Sequence, residues 1–216
     1  MSETPSEPST SNSISMSTSR IEAFSDGVWA IGITLLILNI QIPHIPPEQP
    51  ASALIDALLK QWNVYLAFVI SFVTLGTTWI SHHQMLKLLA QVDHTLQMLN
   101  IGILLGVSIV PFTTALLAEY LRQPDKLGIA CIVYGLGWAV VGRFMSGVWW
   151  YARRHHYLKP GIPEAAIKRA TKLFNAGTLV GIAAVLVAFI SPPLSVIIYG
   201  VITIAYILPF GKNIAA

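Results

Sequence analysis

Long stretches without a charged residue constrain this chain more than any other feature. Apart from Arg143, five stretches contain no Asp, Glu, Lys or Arg: Gly27–Pro47, Gln61–Leu86, His94–Ala118, Leu127–Ala152 and Leu173–Gly211. A helix needs about 20 apolar residues to cross the hydrocarbon core of a bilayer. Only 11% of the 216 residues are charged and 54% are hydrophobic, whereas about 25% of the residues in a soluble domain are charged. The sequence therefore predicts an all-α membrane protein.

The uncharged stretches divide into six predicted transmembrane helices. The fourth supplies one crossing if Arg143 lies near its end, where a long basic side chain can reach the membrane surface. The fifth is twice too long for one helix and is broken at Ser191-Pro192-Pro193, because proline removes a backbone donor and disfavours helix in the residue before it. The predicted spans are 24–42, 62–85, 96–118, 127–150, 172–190 and 194–211.

Three further segments have distinct compositions. Residues 1–19 are rich in Ser, Thr, Pro and Glu and carry no Lys or Arg, so we predict a disordered tail followed by a six-helix transmembrane domain over residues 20–216. Residues 51–60 are predicted to form a short amphipathic helix at the membrane surface. Residues 151–172 form the main basic loop, whose charges either only set the orientation or also bind anionic lipid.

The distribution of basic residues predicts the orientation. With the N-terminus inside the cell, the outside carries only Lys60, Arg122 and Lys126 of the 13 Lys and Arg residues. Cytoplasmic loops of membrane proteins are enriched in Lys and Arg. We therefore predict a multi-pass protein of the cell membrane with both termini inside, which agrees with an even number of crossings.

Several function classes have no support in the sequence. The neighbours in each pair, His82-His83 and His155-His156, point about 100° apart on a helix, so neither pair chelates one metal ion easily. No HExxH pattern, phosphate-binding loop or Gly-x-Ser-x-Gly turn occurs. Nucleic-acid binding would need a basic face with interleaved aromatic residues. We predict no enzyme activity, no cofactor and no nucleic-acid partner.

Polar residues of the first three spans lie at a similar depth near the inner side of the membrane. The first span contributes Ser25 and Asp26, the second Trp79, His82 and His83, and the third Asn100. Polar groups in a membrane protein are least costly when they satisfy one another. The cluster is either a hydrogen-bonded connection between the spans or, through one of the histidines, a proton sensor or gate.

The first span also carries a candidate pore wall. Ile31, Leu35 and Leu38 are spaced i, i+4 and i+7, with Thr34 beside them, so they share one face of a helix. Such a stripe is compatible with ordinary helix packing. If several copies of this span surround an axis, the stripe forms apolar rings that control conduction by dewetting and by the cost of dehydrating an ion.

The residues Arg20-x-x-x-Phe24-Ser25-Asp26, which open a span continuing as Ala30–Leu36, resemble the signature of the transmembrane protein 175 family of potassium channels. Trp79, the His82-His83 pair, Asn100 and the six-span length extend the resemblance. It implies the prokaryotic type, in which one six-helix unit forms a homotetramer and the first span of each subunit lines the pore.

The resemblance also implies roles for individual residues. Ile31 would form the constriction, Leu35 and Leu38 would form deeper layers, and Thr34 would form a selectivity layer, so that which layer selects stays open. The signature residues Arg20, Phe24, Ser25 and Asp26 would hold spans together near the inner mouth.

Two transport functions follow. The leading hypothesis is a passive, potassium-preferring cation channel that takes potassium as its permeant ion. The alternative is a proton-coupled secondary transporter that uses Asp26 with His82 and His83 as a relay. A membrane protein without transport activity is a third class, and it predicts no ion flux.

Overall fold

The computed structural model describes residues 18–207 and is all-helical over that range, apart from a single bridge between Leu89 and Leu158. Seven α-helices follow one another along the chain: α1 (Thr18–Leu35), α2 (Ala51–Lys60), α3 (Trp62–Lys87), α4 (His94–Tyr120), α5 (Pro124–Arg154), α6 (Glu164–Ala188) and α7 (Pro192–Ile207). A short 3₁₀ helix, Leu36–Asn39, extends α1. The predicted all-α class is confirmed.

Five helices of the described range are long and apolar enough to cross a membrane: α1 with its 3₁₀ extension, α3, α4, α5 and α6. The apolar helix α7 has 16 described residues and is shorter. A sixth crossing by α7 stays a prediction, and residues 208–211 of the predicted span lie outside the described residues. The predicted tail also lies outside them, except Thr18 and Ser19, which begin α1.

The predicted bounds are wrong at three helix ends. Helix α1 begins at Thr18, six residues before the predicted position 24, because the polar signature residues are themselves part of the helix. Helix α5 continues through Arg143 to Arg154, and α6 begins at Glu164. The connection between α5 and α6 is therefore only 155–163, not 151–172, and most of the basic residues predicted for it lie on helices. Counting charges locates the apolar part of a helix but not the turns that extend into water.

Local sequence explains the helix starts. Proline occupies the first turn of α5 and of α7, where its missing N–H has no helical partner to lose. Asp93 precedes α4 and accepts a hydrogen bond from the Leu96 amide over 2.8 Å, which is the usual role of an aspartate at this position. These residues mark where α4, α5 and α7 begin.

Helix α4 is the centre of the bundle and packs against α1, α3 and α5. Its buried side includes Ile103, Val107 and Val110, each fully buried. A β-carbon added at Gly32 of α1 would lie 2.9 Å from Val107 Cγ1, so only glycine permits this close approach of α1 to α4. At the end of the 3₁₀ extension of α1, Asn39 Nδ2 donates to the Pro111 carbonyl over 3.3 Å.

Helix α2 forms over the residues predicted for a short amphipathic helix. None of its side chains is buried, and Leu54, Ile55, Leu58 and Leu59 are all exposed. Within the subunit α2 packs only weakly, against α3.

Candidate pore helix and its inner anchor

Helix α1 has two faces of opposite character. One face is buried against α3 and α4 through Ile21, Ser25, Trp29, Gly32 and Leu36. The spacing of four, four, three and four residues follows one side of a helix. This face attaches α1 to its own subunit.

The opposite face of α1 is not buried by the other described residues. Ile31 is 60% exposed, Leu35 41% and Leu38 70%, and Thr34 lies among them, also exposed. The Thr34 hydroxyl donates to the carbonyl oxygens of its own helix, at 2.9 Å from Ala30 O and 3.0 Å from Ile31 O. Its hydrogen is therefore used within the helix, and its exposed oxygen keeps lone pairs that can accept.

The carboxylate of Asp26, in the signature on α1, is held by a residue of α3. Trp79 Nε1 donates a hydrogen bond to Asp26 Oδ1 over 2.8 Å. The indole N–H is a donor only, and a carboxylate in the membrane requires such a partner. This bond joins the N-terminal half of α1 to the C-terminal half of α3.

A chain of buried hydrogen bonds joins α1 to α4 and α3. Asn100 Nδ2 donates to Ser25 Oγ over 2.9 Å, and Asn100 Oδ1 lies 2.8 Å from His82 Nε2. Because that amide oxygen only accepts, Nε2 of His82 carries the hydrogen. His82 Nδ1 has no hydrogen-bond partner among the described residues, and its ring lies beside Trp29 with ring centroids 5.7 Å apart.

Glu22 is a member of the site that the sequence analysis did not find. Its Oε1 lies 3.5 Å from His83 Nδ1. The His83 ring stacks on Trp79, with centroids 5.6 Å apart and an angle of 23° between the planes. Glu22 is four residues before Asp26 and thus on the same side of α1, which is the signal that would have identified it.

The structure brings six of the eight predicted cluster residues together: Ser25, Asp26, Trp79, His82, His83 and Asn100. It does not bring the other two into this cluster. Arg20 is exposed, and Phe24 is 61% exposed on the same side of α1 as Ile31. Their predicted role in holding spans together stays a prediction.

A second polar cluster, centred on Asp93, joins the start of α4 to the end of α5. Tyr151 and Tyr157 donate to Asp93 Oδ2 over 2.7 and 3.2 Å. Burial raises the pKa of Asp93, but the bonds from the Leu96 amide and the two tyrosine hydroxyls outweigh it, so the pKa lies below the ordinary value of 3.8. The sequence analysis missed this cluster because its members are far apart in the chain.

Within residues 18–207, no group of three or more His, Cys, Asp and Glu side chains is arranged to hold a metal ion. Helix α1 instead combines an exposed, mainly apolar face that carries the Thr34 hydroxyl with side-chain hydrogen bonds to α3 and α4 on its other side.

Comparisons with known proteins agree with this architecture. The family model of the endosomal/lysosomal potassium channel TMEM175 matches residues 20–111, which contain α1, its anchor and most of α4. A potassium channel of Streptomyces collinus is 39% identical, over 87% of this chain and 90% of that protein. A potassium channel of Chamaesiphon minutus is 37% identical, over 88% of this chain and 94% of that protein.

A solved structure has the same fold. The crystal structure of a lysosomal potassium-selective channel TMEM175 homolog from Chamaesiphon minutus matches with a TM-score of 0.77 and 36% identity, covering 89% of this chain and 97% of that one. The fold and the relatives define a multi-pass membrane protein of the ion-channel class, not an enzyme. The chain belongs to the TMEM175 family, and it matches bacterial members along nearly their whole length.

Proposed function

We propose that this chain is one subunit of a homotetrameric, potassium-preferring cation channel that conducts passively through a pore lined by α1. The observation that carries the proposal is the exposed face of α1. It presents Ile31, Leu35 and Leu38 outward, while the opposite face is fixed by hydrogen bonds to α3 and α4. The bacterial relatives named potassium channels support the choice of ion.

Four copies of that face would surround an axis with apolar rings. Water leaves a narrow apolar ring readily, and an ion that enters it loses part of its hydration shell, so the rings limit conduction. Thr34 is the one polar side chain between Ile31 and Leu35 on this face. Its outward lone pairs would give four oxygens that replace part of the hydration shell of a cation.

The anchor gives the rings a fixed position. A pore layer must hold its diameter, and α1 is supported in its inner half by two side-chain connections, Trp79 to Asp26 and Asn100 to Ser25. Helices supported by buried hydrogen bonds shift less than helices held by apolar contacts alone. We propose that the signature acts as this support, with Arg20 and Phe24 completing it in the assembled channel.

We also propose that both termini face the inside of the cell membrane and that α7 completes six crossings. The basic residues Arg153, Arg154, Lys159, Lys168 and Lys172 then lie at the inner ends of α5 and α6. This agrees with the enrichment of Lys and Arg on the cytoplasmic side.

Potassium flux through reconstituted protein tests the proposal. Liposomes that contain the full chain should release potassium down its gradient without a coupled ion. Ile31→Asn should raise the conductance or weaken the preference for potassium over sodium, because an amide stabilises water in the ring. The matched control is Ile129→Asn, since Ile129 is 69% exposed but lies on α5. Unchanged currents in Ile31→Asn would remove Ile31 from the pore wall.

The same measurement separates the channel from a proton-coupled transporter that uses Asp26, His82 and His83. Buried His82 Nδ1, which has no hydrogen-bond partner among the described side chains, is the observation in favour of that alternative. Stoichiometric proton movement with each potassium ion would support the transporter. Potassium flux without accompanying proton movement would support the channel.

A further inference from the structure

We propose that a cavity between α3 and α6 is a binding site for a small amphiphile from the membrane, a short alkyl group that carries one hydroxyl. The cavity has a volume of about 90 Å³, and α5 and α7 also line it. Its walls include Thr78 and Ser81 of α3, Val141 and Met145 of α5, and Phe174 and Gly181 of α6.

The size of the cavity limits the ligand. A dry apolar cavity of about 150 Å³ binds benzene, whereas one water takes up about 30 Å³ of the liquid. With about 90 Å³, the cavity between α3 and α6 suits a molecule that is larger than water and smaller than benzene. A lipid headgroup or a sterol is too large for this space.

The walls favour an alkyl group over water. Val141, Met145 and Phe174 are buried apolar side chains that face one another's helices across α5 and α6. A water is stable in a cavity when it has two to four polar partners, and an apolar wall provides none. Contact with an alkyl group instead adds dispersion attraction that an empty space lacks.

Two hydroxyl oxygens on α3 provide the polar contact. Thr78 Oγ1 donates to the Thr74 carbonyl over 2.6 Å. Ser81 Oγ donates to the Thr77 carbonyl over 3.1 Å. Both hydrogens are therefore used within the helix, and both oxygens keep lone pairs that can accept. The matching ligand group is a hydroxyl that donates.

Other hydroxyl groups of the wall are already paired with hydroxyls. Thr74 Oγ1 lies 2.7 Å from Thr203 Oγ1, and Thr178 Oγ1 lies 2.9 Å from Ser146 Oγ. Each of these oxygens exchanges a hydrogen bond with its neighbour. We therefore assign the contact with the ligand to the two α3 oxygens described above.

Gly181 leaves the cavity open on the side of α6. A β-carbon added there would meet no atom within 4 Å outside its own turn of helix, whereas one added at Gly142 of α5 would lie 3.3 Å from Thr178 Oγ1. Thr78, Ser81 and Gly181 are partly exposed, and α3 and α6 are both candidate membrane spans. A ligand that partitions into the bilayer can therefore enter between these two helices.

Crystals of the full chain exposed to bromoethanol test the inference, because anomalous scattering locates the bromine atom. In the wild type we expect bromine between α3 and α6, and xenon at the same place under pressure, since xenon needs only an apolar cavity. Gly181→Leu should fill the cavity and lose both probes. The matched control is Gly200→Leu on α7, where an added β-carbon also meets no atom within 4 Å but the cavity is not lined. It should keep both probes.

The double variant Thr78→Val with Ser81→Ala tests the hydroxyl contact. It should keep xenon and weaken bromoethanol binding by about fivefold, which corresponds to one ordinary hydrogen bond. Unchanged bromoethanol binding, or loss of xenon together with bromoethanol, would overturn recognition by these hydroxyls.

The site itself would be overturned by a wild-type cavity that holds no bromine or only ordered water, or by bromine that stays in place in Gly181→Leu. These measurements record no ion flux. Their failure is therefore distinct from a failure of the proposed channel function, on which the inference does not rest.

Discussion

At the scale of single residues, Asn100 organises the anchor of α1. Its amide donates to Ser25 and its carbonyl oxygen accepts from His82, so one side chain from α4 satisfies a partner on α1 and another on α3. Ser25 and His82 are fully buried and Asn100 is 3% exposed. A missing partner in such a place leaves a polar group without compensation.

Removal of the Ser25 hydroxyl should measure this effect. In Ser25→Ala the Asn100 amide loses its acceptor, and we expect the free energy of unfolding in detergent to fall by about 1–3 kcal/mol. Thermal unfolding followed by circular dichroism provides the measurement.

The control is Ser108→Ala, since the exposed Ser108 hydroxyl bonds only to its own helix, at Leu104. If Ser108→Ala loses as much stability as Ser25→Ala, the buried hydrogen-bond chain stabilises the fold no more than an exposed hydrogen bond does.

The sequence predicted most of the anchor but not all of its pairings. Depth along the spans placed Asp26, Trp79 and His82 at one level, because an apolar helix fixes the depth of each residue. It did not predict which residue pairs with which, since that depends on the rotation of each helix. Glu22 was missed because it lies before the predicted start of the first span, in a turn that the structure adds to α1.

At the scale of helices, the Asp93 cluster connects the start of α4 to the end of α5. One carboxylate caps α4 and receives hydrogen bonds from Tyr151 and Tyr157. The segments on either side pair through backbone hydrogen bonds, from Ala90 N to Tyr157 O and from Lys159 N to Leu88 O. The short connection between α5 and α6 is therefore a structured part of the bundle.

The lowered pKa of Asp93 gives this cluster a defined pH dependence. The stabilising contribution of the carboxylate is complete above the pKa of the unfolded chain, about 3.9, and is lost as the pH falls through the lower pKa of the folded protein. We expect the stability difference between wild type and Asp93→Asn to be largest near neutral pH and to shrink below about pH 4.

Thermal unfolding across the acidic range measures that difference. Asp56→Asn serves as the control, because Asp56 is an exposed carboxylate on α2. A wild-type advantage over Asp93→Asn that stays constant down to the most acidic buffer would contradict the proposed hydrogen bonds.

Helix order and class followed from the sequence, and helix ends did not. Uncharged stretches identified every long helix, since a transmembrane segment must be apolar. The first turns of α6 are polar, from Glu164 onward, and composition does not distinguish a polar helical turn from a loop. The bonds at Asp93 that define the connection between α5 and α6 are tertiary and leave no local pattern.

At the scale of the whole molecule, the subunit leaves its first helix uncovered. Large apolar residues of α1 are more than one-third exposed, and burying them against the bundle would require a rotation of the helix. The buried hydrogen bonds on the other face prevent this rotation. The proposed assembly would cover this exposed face.

Cysteine cross-linking should test this assembly. In Leu38→Cys, oxidation in the membrane should give disulfide-linked subunits, because copies of the exposed face meet near the axis. The native Cys131 is buried and supplies a low background. The control Ile129→Cys lies on α5; equal cross-linking at both positions, or none at Leu38→Cys, would contradict a pore formed by α1.

The attachment of α1 also has a mechanical consequence. Its N-terminal half is fixed by two short side-chain hydrogen bonds, whereas among the described residues the side-chain bond at the end of its 3₁₀ extension is longer, from Asn39 to Pro111 over 3.3 Å. Such a helix is held firmly at one end and can tilt more easily at the other. Lateral stress in the bilayer would therefore tilt the C-terminal end of α1 first. The firmly bound N-terminal half would favour a return to the original angle.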